Sequence, residues 1–192
     1  MYRGGYAGKI LRIDLSEQSA NEEAVPEELV KNYLGGAGFA IKCLYDEVKP
    51  QTLALDKANK LIFAVGPLTA TGASCASRMA VVAKSPLTNA VGMALSGGQF
   101  PAEMKMAGYD MIIIEGKAEK PTYVAIKDGK VRFRNAEKLS GMLTTIRSSL
   151  SRTNSAIRIT GSPASARPAK SRYRWPVSSM KDVRPAERDW GR

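Results

Sequence analysis

Apolar residues along this chain fall into short groups separated by glycine, proline and polar turns, and the spacing inside each group predicts its conformation. Residues 9–15, Lys-Ile-Leu-Arg-Ile-Asp-Leu, alternate towards their end, which suits a strand with one buried face, and a polar turn is expected over 16–21. In residues 26–34, Leu29, Val30, Tyr33 and Leu34 share one helical face. Pro26 lies near the first turn, and Glu27 and Glu28 sit at the positive end of the dipole. Gly35-Gly36 stops that helix, and a second is predicted over about 39–48, ended by Pro50. Residues 60–65 read as a buried strand closed by Gly66-Pro67, and further strands are predicted at 78–84 and 111–116. Residues 122–133 form a hairpin around an Asp128-Gly129 turn. Strands outnumber helices, and hairpins mixed with isolated helices favour an α+β fold, rich in sheet, over a regularly alternating one.

The pattern breaks near residue 142. Arg, Ser, Pro and Ala dominate from there, and the stretch 161–170 with its closely spaced Gly161, Pro163 and Pro168 suits neither helix nor central strand. Two regions are therefore expected: a folded domain over 1–141 and a basic, poorly ordered tail over 142–192.

Composition sharpens this division. The formal net charge is +11, which raises the possibility of a nucleic-acid partner. The excess is uneven, however: residues 142–192 hold 11 basic and three acidic groups, whereas the first 141 residues are nearly balanced. A small basic nucleic-acid- or anion-binding protein, or a non-catalytic structural module, stays as the alternative to an enzyme. With 44% hydrophobic residues in 192 the chain has enough apolar mass for a core. No apolar run suits a membrane span or a signal peptide, so a cytoplasmic protein without a membrane partner is expected. Histidine is absent, which excludes histidine ligation of metals and Ser-His-Asp or Cys-His catalysis by this chain. Cys43 and Cys75 cannot supply four thiolates to zinc or to an iron–sulfur cluster. Cys43 reads as a buried hydrophobe, Cys75 as a small loop residue, and Asp110 and Glu115 as solvated ends of a strand.

Candidate chemistry concentrates in Gly66-Pro67-Leu68-Thr69-Ala70-Thr71-Gly72-Ala73-Ser74-Cys75-Ala76-Ser77-Arg78, with Lys84-Ser85-Pro86-Leu87-Thr88 and Ser96-Gly97-Gly98 after it. Tight turns there expose backbone N–H groups and hydroxyls beside an arginine, a surface suited to an anionic, hydrogen-bonding ligand. The spacing is neither that of a Walker loop nor that of a dinucleotide fingerprint. Ordinary glycine-rich turns carrying a surface arginine are the simpler reading of composition alone.

The same segments, together with Gly8-Lys9-Ile10-Leu11-Arg12-Ile13-Asp14-Leu15, Tyr33-Leu34-Gly35-Gly36 and the run from Ala107-Gly108-Tyr109-Asp110 to Glu115-Gly116-Lys117-Ala118, stand in the order and spacing found at the start of tungsten-containing aldehyde:ferredoxin oxidoreductases. Over roughly residues 1–141 the chain resembles the N-terminal domain of that family. The resemblance implies an α+β base for a tungsten (or molybdenum) bis-pterin cofactor whose dithiolenes hold the metal. By position it implies that Arg78 contacts the pterin and that Ser96, Gly97 and Gly98 form a backbone contact loop, with no catalytic residue and no metal ligand in this chain. Leu95 departs from the polar residue found in many relatives. The family oxidises aldehydes to carboxylic acids and passes electrons to ferredoxin through an iron–sulfur cluster, as a homodimer. The cluster ligands and acid–base residues lie in later domains that are absent here, so the chain is expected to be a fragment, inactive alone, whose reading frame has shifted after about residue 143.

Overall fold

The computed structural model describes residues 4–127, 129–137 and 157–161. In chain order they form β1 (Lys9–Asp14), β2 (Ser19–Ala24), α1 (Glu27–Tyr33), α2 (Ala37–Glu47), β3 (Leu61–Val65), β4 (Arg78–Lys84), β5 (Val91–Gly97), α3 (Gln99–Met106), β6 (Met111–Glu115), β7 (Thr122–Lys127), β8 (Lys130–Asn135) and β9 (Ile157–Gly161). Six strands make one sheet in the order β2-β1-β6-β3-β4-β5, and three make a second in the order β8-β7-β9. Only the β1–β6 pair is parallel among the described residues; the other ladders are antiparallel. The fold is α+β, as the mixture of hairpins and isolated helices predicts.

Side chains that alternate along the inner strands fill two separate cores. Ile10, Ile62, Ala64, Ala80, Val82, Met111 and Ile113 face α1 and α2, meeting Val30, Phe39, Ala40, Cys43 and Leu44. Leu11, Ile13, Phe63, Val65, Met79, Ile112 and Ile114 face the other way, onto Met104, Tyr109 and the Val124 and Ile126 side chains of β7. The six-stranded sheet is thus the middle layer, with α1 and α2 on one face and α3 and the second sheet on the other. β6 sits at its centre because both its faces are apolar: Met111, Ile112 and Ile113 are almost wholly buried, each contributing roughly 1.5–3 kcal/mol of transfer free energy.

Three features differ from the sequence expectations. Part of the segment expected to be a turn belongs to β2, whose residues Ser19–Ala24 carry no buried position, so no alternation announces an edge strand there. Glu115 is not a freely solvated end: with Glu23, Glu47, Arg12 and Lys60 it forms a network in which Arg12 grips Glu47 at two points, 2.8 and 3.0 Å, and Glu23 at 2.7 Å. That network ties the end of α2 to the sheet through charge-assisted bonds. Asp110 is wholly buried, because its carboxylate accepts the Ala7 and Gly8 amides at 3.2 and 2.6 Å and pairs with the Lys105 ammonium. The sequence shows these carboxylates beside an apolar run, but not the partners that reach them from elsewhere in the chain.

Residues 142–192, expected to form a poorly ordered tail, lie outside the described residues except for β9, which pairs antiparallel with β7 from Ile157 opposite Ile126 to Gly161 opposite Thr122. Asp128 is likewise outside them. Gly129 has φ +71°, as the hairpin turn after β7 requires.

Candidate functional site

The 66–78 loop leaves β3 and returns as β4. Thr69 closes its neck: the side chain is buried, with Oγ1 3.2 Å from the carbonyl oxygens of both Ala76 and Arg78. Beyond that neck the loop turns tightly. Thr71 donates from Oγ1 to the Leu68 carbonyl at 2.7 Å, and Ala70 and Cys75 adopt φ values of +61° and +58°. Such backbone is costly for residues with a Cβ and collects at ligand-binding and switch segments.

β4 and β5 then bring the sequence-predicted residues together. Their register sets Arg78 opposite Gly97 and Met79 opposite Ser96. Ser77 donates from Oγ to the Gly98 carbonyl at 2.6 Å. A Cβ on Gly97 would stand 3.3 Å from the Ser77 carbonyl oxygen and 3.8 Å from both Cδ and Nε of Arg78, so the arginine side chain lies across this glycine. Gly98, at φ +95°, turns the chain into α3. Ser96 and Gly97 are therefore the last residues of a strand, and Gly98 alone makes the turn. Arg78 is exposed and has no ion pair or side-chain hydrogen bond among the described residues.

Arg78 stands at the rim of an open cleft of ≈ 370 Å³. Leu34, Gly36 and Ala37 form one wall, Gly66, Pro67 and Leu68 the second, and Arg78 and Leu95 the third. Leu34, Leu68 and Leu95 are each more than half exposed, so the cleft offers apolar surface to a ligand. Its first wall is the start of α2, whose N-cap Gly36 has no capping side chain and whose first turn holds no acid. That end of the helix presents partial positive charge, which adds to Arg78. Among the described residues Arg78 is the only titratable one lining the cleft, so they can bind and orient a ligand that is apolar in its body and anionic at its edge, and none of them forms an acid–base pair there. Among the described residues no group of three or more acids and cysteines could hold a metal ion, and no helix is long and apolar enough to cross a membrane.

The first wall was not foreseen. Gly35-Gly36 reads in sequence as a helix stop, whereas the left-handed residue that ends α1 is Leu34 itself, at φ +57°. The double glycine was the available signal, since Gly36 at φ +55° lets the chain turn directly into α2.

Comparison with known proteins agrees with the fold. The family described as aldehyde ferredoxin oxidoreductase, N-terminal domain, is matched over residues 10–164, beyond the 141 residues over which the motifs were recognised. The tungsten-containing aldehyde ferredoxin oxidoreductase of Pyrococcus horikoshii is 49% identical over 141 residues, 73% of this chain and 23% of the relative. The aliphatic sulfonate oxidoreductase, WOR-like subunit, of Pyrococcus furiosus is 35% identical over 140 residues, 71% of this chain and 22% of the relative. Among solved structures, the active site complex BamBC of benzoyl coenzyme A reductase with 1,5 dienoyl-CoA superposes with a TM-score of 0.77 at 34% identity, over 79% of this chain and 23% of that one. The chain thus spans less than a quarter of the length of these relatives. With its fold, its order of motifs and most of its length matched, the chain belongs to the aldehyde ferredoxin oxidoreductase family, as a counterpart of that family's N-terminal domain.

Proposed function

We propose that the cleft is a pterin-binding platform, and that this chain supplies one face of the site for a tungsten (or molybdenum) bis-pterin cofactor. The observation that carries the reading is the unpartnered Arg78 guanidinium at the rim of an apolar cleft, beside the uncapped start of α2. The pterin cofactor combines a ring system with an anionic phosphate on its side chain, and these residues suit both. Leu34, Leu68 and Leu95 cover ring surface, while Arg78 offers a planar fork to phosphate or ring acceptors. The bare Gly97 backbone at the end of β5 lets the arginine lie flat, and Ser96, Gly97 and Gly98 place their backbone groups beside it.

When bound, the metal–pterin group would supply the redox chemistry; this chain's residues bind and orient it. The relatives support a cofactor role over a substrate role, since proteins named for aldehydes, for sulfonates and for benzoyl coenzyme A share this domain. A part common to such different substrates is suited to what their chemistry has in common. In a complete enzyme the reaction would be oxidation of an aldehyde to a carboxylic acid, with electrons passing through an iron–sulfur cluster to ferredoxin, and with cluster ligands and any homodimer contact supplied by segments beyond this domain.

The test is binding of neopterin triphosphate, a fluorescent pterin carrying phosphate, to the full chain and to Arg78→Ala. Loss of a hydrogen bond to a charged group costs about 1.5–3 kcal/mol, so the variant should bind at least tenfold more weakly while its denaturation midpoint stays put. Equal affinity in the two proteins removes Arg78 from the site.

A further inference from the structure

The segment Gly4-Gly5-Tyr6-Ala7-Gly8, before β1, touches two walls of the cleft from behind. Gly5 packs so closely on the second wall that a Cβ there would stand 1.8 Å from the Pro67 carbonyl oxygen, and only glycine fits. Tyr6 donates from its hydroxyl to the Leu34 carbonyl of the first wall at 2.6 Å. Its ring stacks on Phe39 of α2, centroids 6.3 Å apart and 16° from parallel, and the Lys105 ammonium stands 5.6 Å from its centroid. Ala7 and Gly8 are anchored by their amides to the buried Asp110 carboxylate. Lys105, paired with that carboxylate, also reaches to 3.5 Å from the Gly66 carbonyl oxygen. One short strap therefore joins a fixed anchor in the core to both flanks of the cleft.

The wall that Tyr6 holds needs holding. Leu34 at φ +57°, Gly35 at +144° and Gly36 at +55° form a turn in which the leucine conformation is unfavourable. Besides the Tyr6 hydroxyl, the turn is tied by Gly36 donating to the Val65 carbonyl at 3.1 Å and by Gly35 donating to Tyr33 within α1.

We propose that Tyr6 is a positioning residue, which latches the Leu34–Gly36 turn against the Gly66–Pro67 turn and so sets the width of the cleft. The inference rests on the reading of this cleft as the pterin-binding face. It assigns a role in that site to a residue that does not line it.

Tyr6→Phe isolates the latch, because phenylalanine keeps the ring over Phe39 and under Lys105 and removes only the hydroxyl. Amide exchange by mass spectrometry on the full chain should show the 34–37 amides exchanging roughly threefold to tenfold faster, the effect of losing one hydrogen bond, with β6 unchanged. Neopterin triphosphate should bind severalfold more weakly. Ile126→Val, a core truncation in the second sheet on the opposite face, is the control for stability alone and should alter neither readout. The proposal is overturned if Tyr6→Phe leaves exchange at 34–37 as in the parent chain, if it raises exchange in β6 equally, or if a faster-exchanging turn leaves probe affinity unchanged. If the parent chain itself binds no probe while the exchange change appears at 34–37, the latch stands and the pterin reading of the cleft falls.

Discussion

Replacing Asp110 by asparagine attacks the anchor beneath the cleft. The carboxylate is 0% exposed and accepts two backbone amides, those of Ala7 and Gly8, while pairing with Lys105, whose side chain is only 9% exposed. Asparagine fills the same space and keeps one acceptor oxygen, but it strands an ammonium group away from water. Breaking a buried pair from one side costs about 3–5 kcal/mol. Against a total stability of roughly 5–15 kcal/mol this is a large share. Lys105→Met is milder, about 1.5–3 kcal/mol, because the carboxylate keeps both of its amide donors. The double variant removes both charges and should lose less than the two single losses added, by about 1–3 kcal/mol. Urea denaturation of the full chain, followed by circular dichroism, measures all three, with the slope serving as a check that the unfolded state is unchanged. If the two single effects add within about 0.5 kcal/mol, or if Asp110→Asn costs under about 1 kcal/mol, the pair does not act as a buried anchor.

Glu47 predicts a second dependence, on pH. Burial pushes its carboxyl up, yet hydrogen bonds from Arg12 and Lys60 outweigh that and hold it down at about 2, against 4.5 for the free group. A folded value below the unfolded one means that the stabilisation is complete above pH 4.5 and is lost as the pH falls towards 2. Discounted for solvent screening at this part-exposed network, the parent chain should lose on the order of 1 kcal/mol more than Glu47→Gln between pH 6 and pH 2.5, and parallel pH curves for the two would count against the network. Thiol chemistry supplies a third: Cys43, pushed up to about 12 by burial and by the neighbouring Glu47, should react with a disulfide reagent only on unfolding, whereas the exposed Cys75 should react at once. Two thiols reacting together in the folded chain would contradict the packing of α2 on the sheet.

What could be read from the sequence follows from how each residue is stabilised. Met111–Glu115 is legible because its strand is buried on both faces, and the β7–β8 hairpin because its turn has a local chemistry. β5 is harder, since Gly92, Ser96 and Gly97 interrupt its apolar positions and its outward residues Val91, Met93 and Leu95 are exposed. α3 begins after a glycine and has Pro101 in its first turn, a pattern that reads equally as a loop. At the candidate site, Arg78 and the Ser96–Gly98 segment were singled out through family resemblance, while their adjacency depends on hairpin register, a property no local pattern encodes. The wall at Leu34 and the Tyr6 strap stayed hidden because each is defined by a partner far along the chain.

The position of β6 also bears on the order in which this molecule assembles. β1 and β2 can pair as a local hairpin, and β3, β4 and β5 as a local meander, but β6 lies between the two groups and is made after both. A nascent chain that ends before Met111 therefore consists of two unconnected sheets, each with an open apolar edge prone to pairing with other chains. Insertion of β6 closes the two loops at once, at the entropic cost that makes such non-local pairing slow. It also brings in Asp110, to which the amino-terminal strap attaches, so the cleft acquires its shape in the step that completes the central sheet.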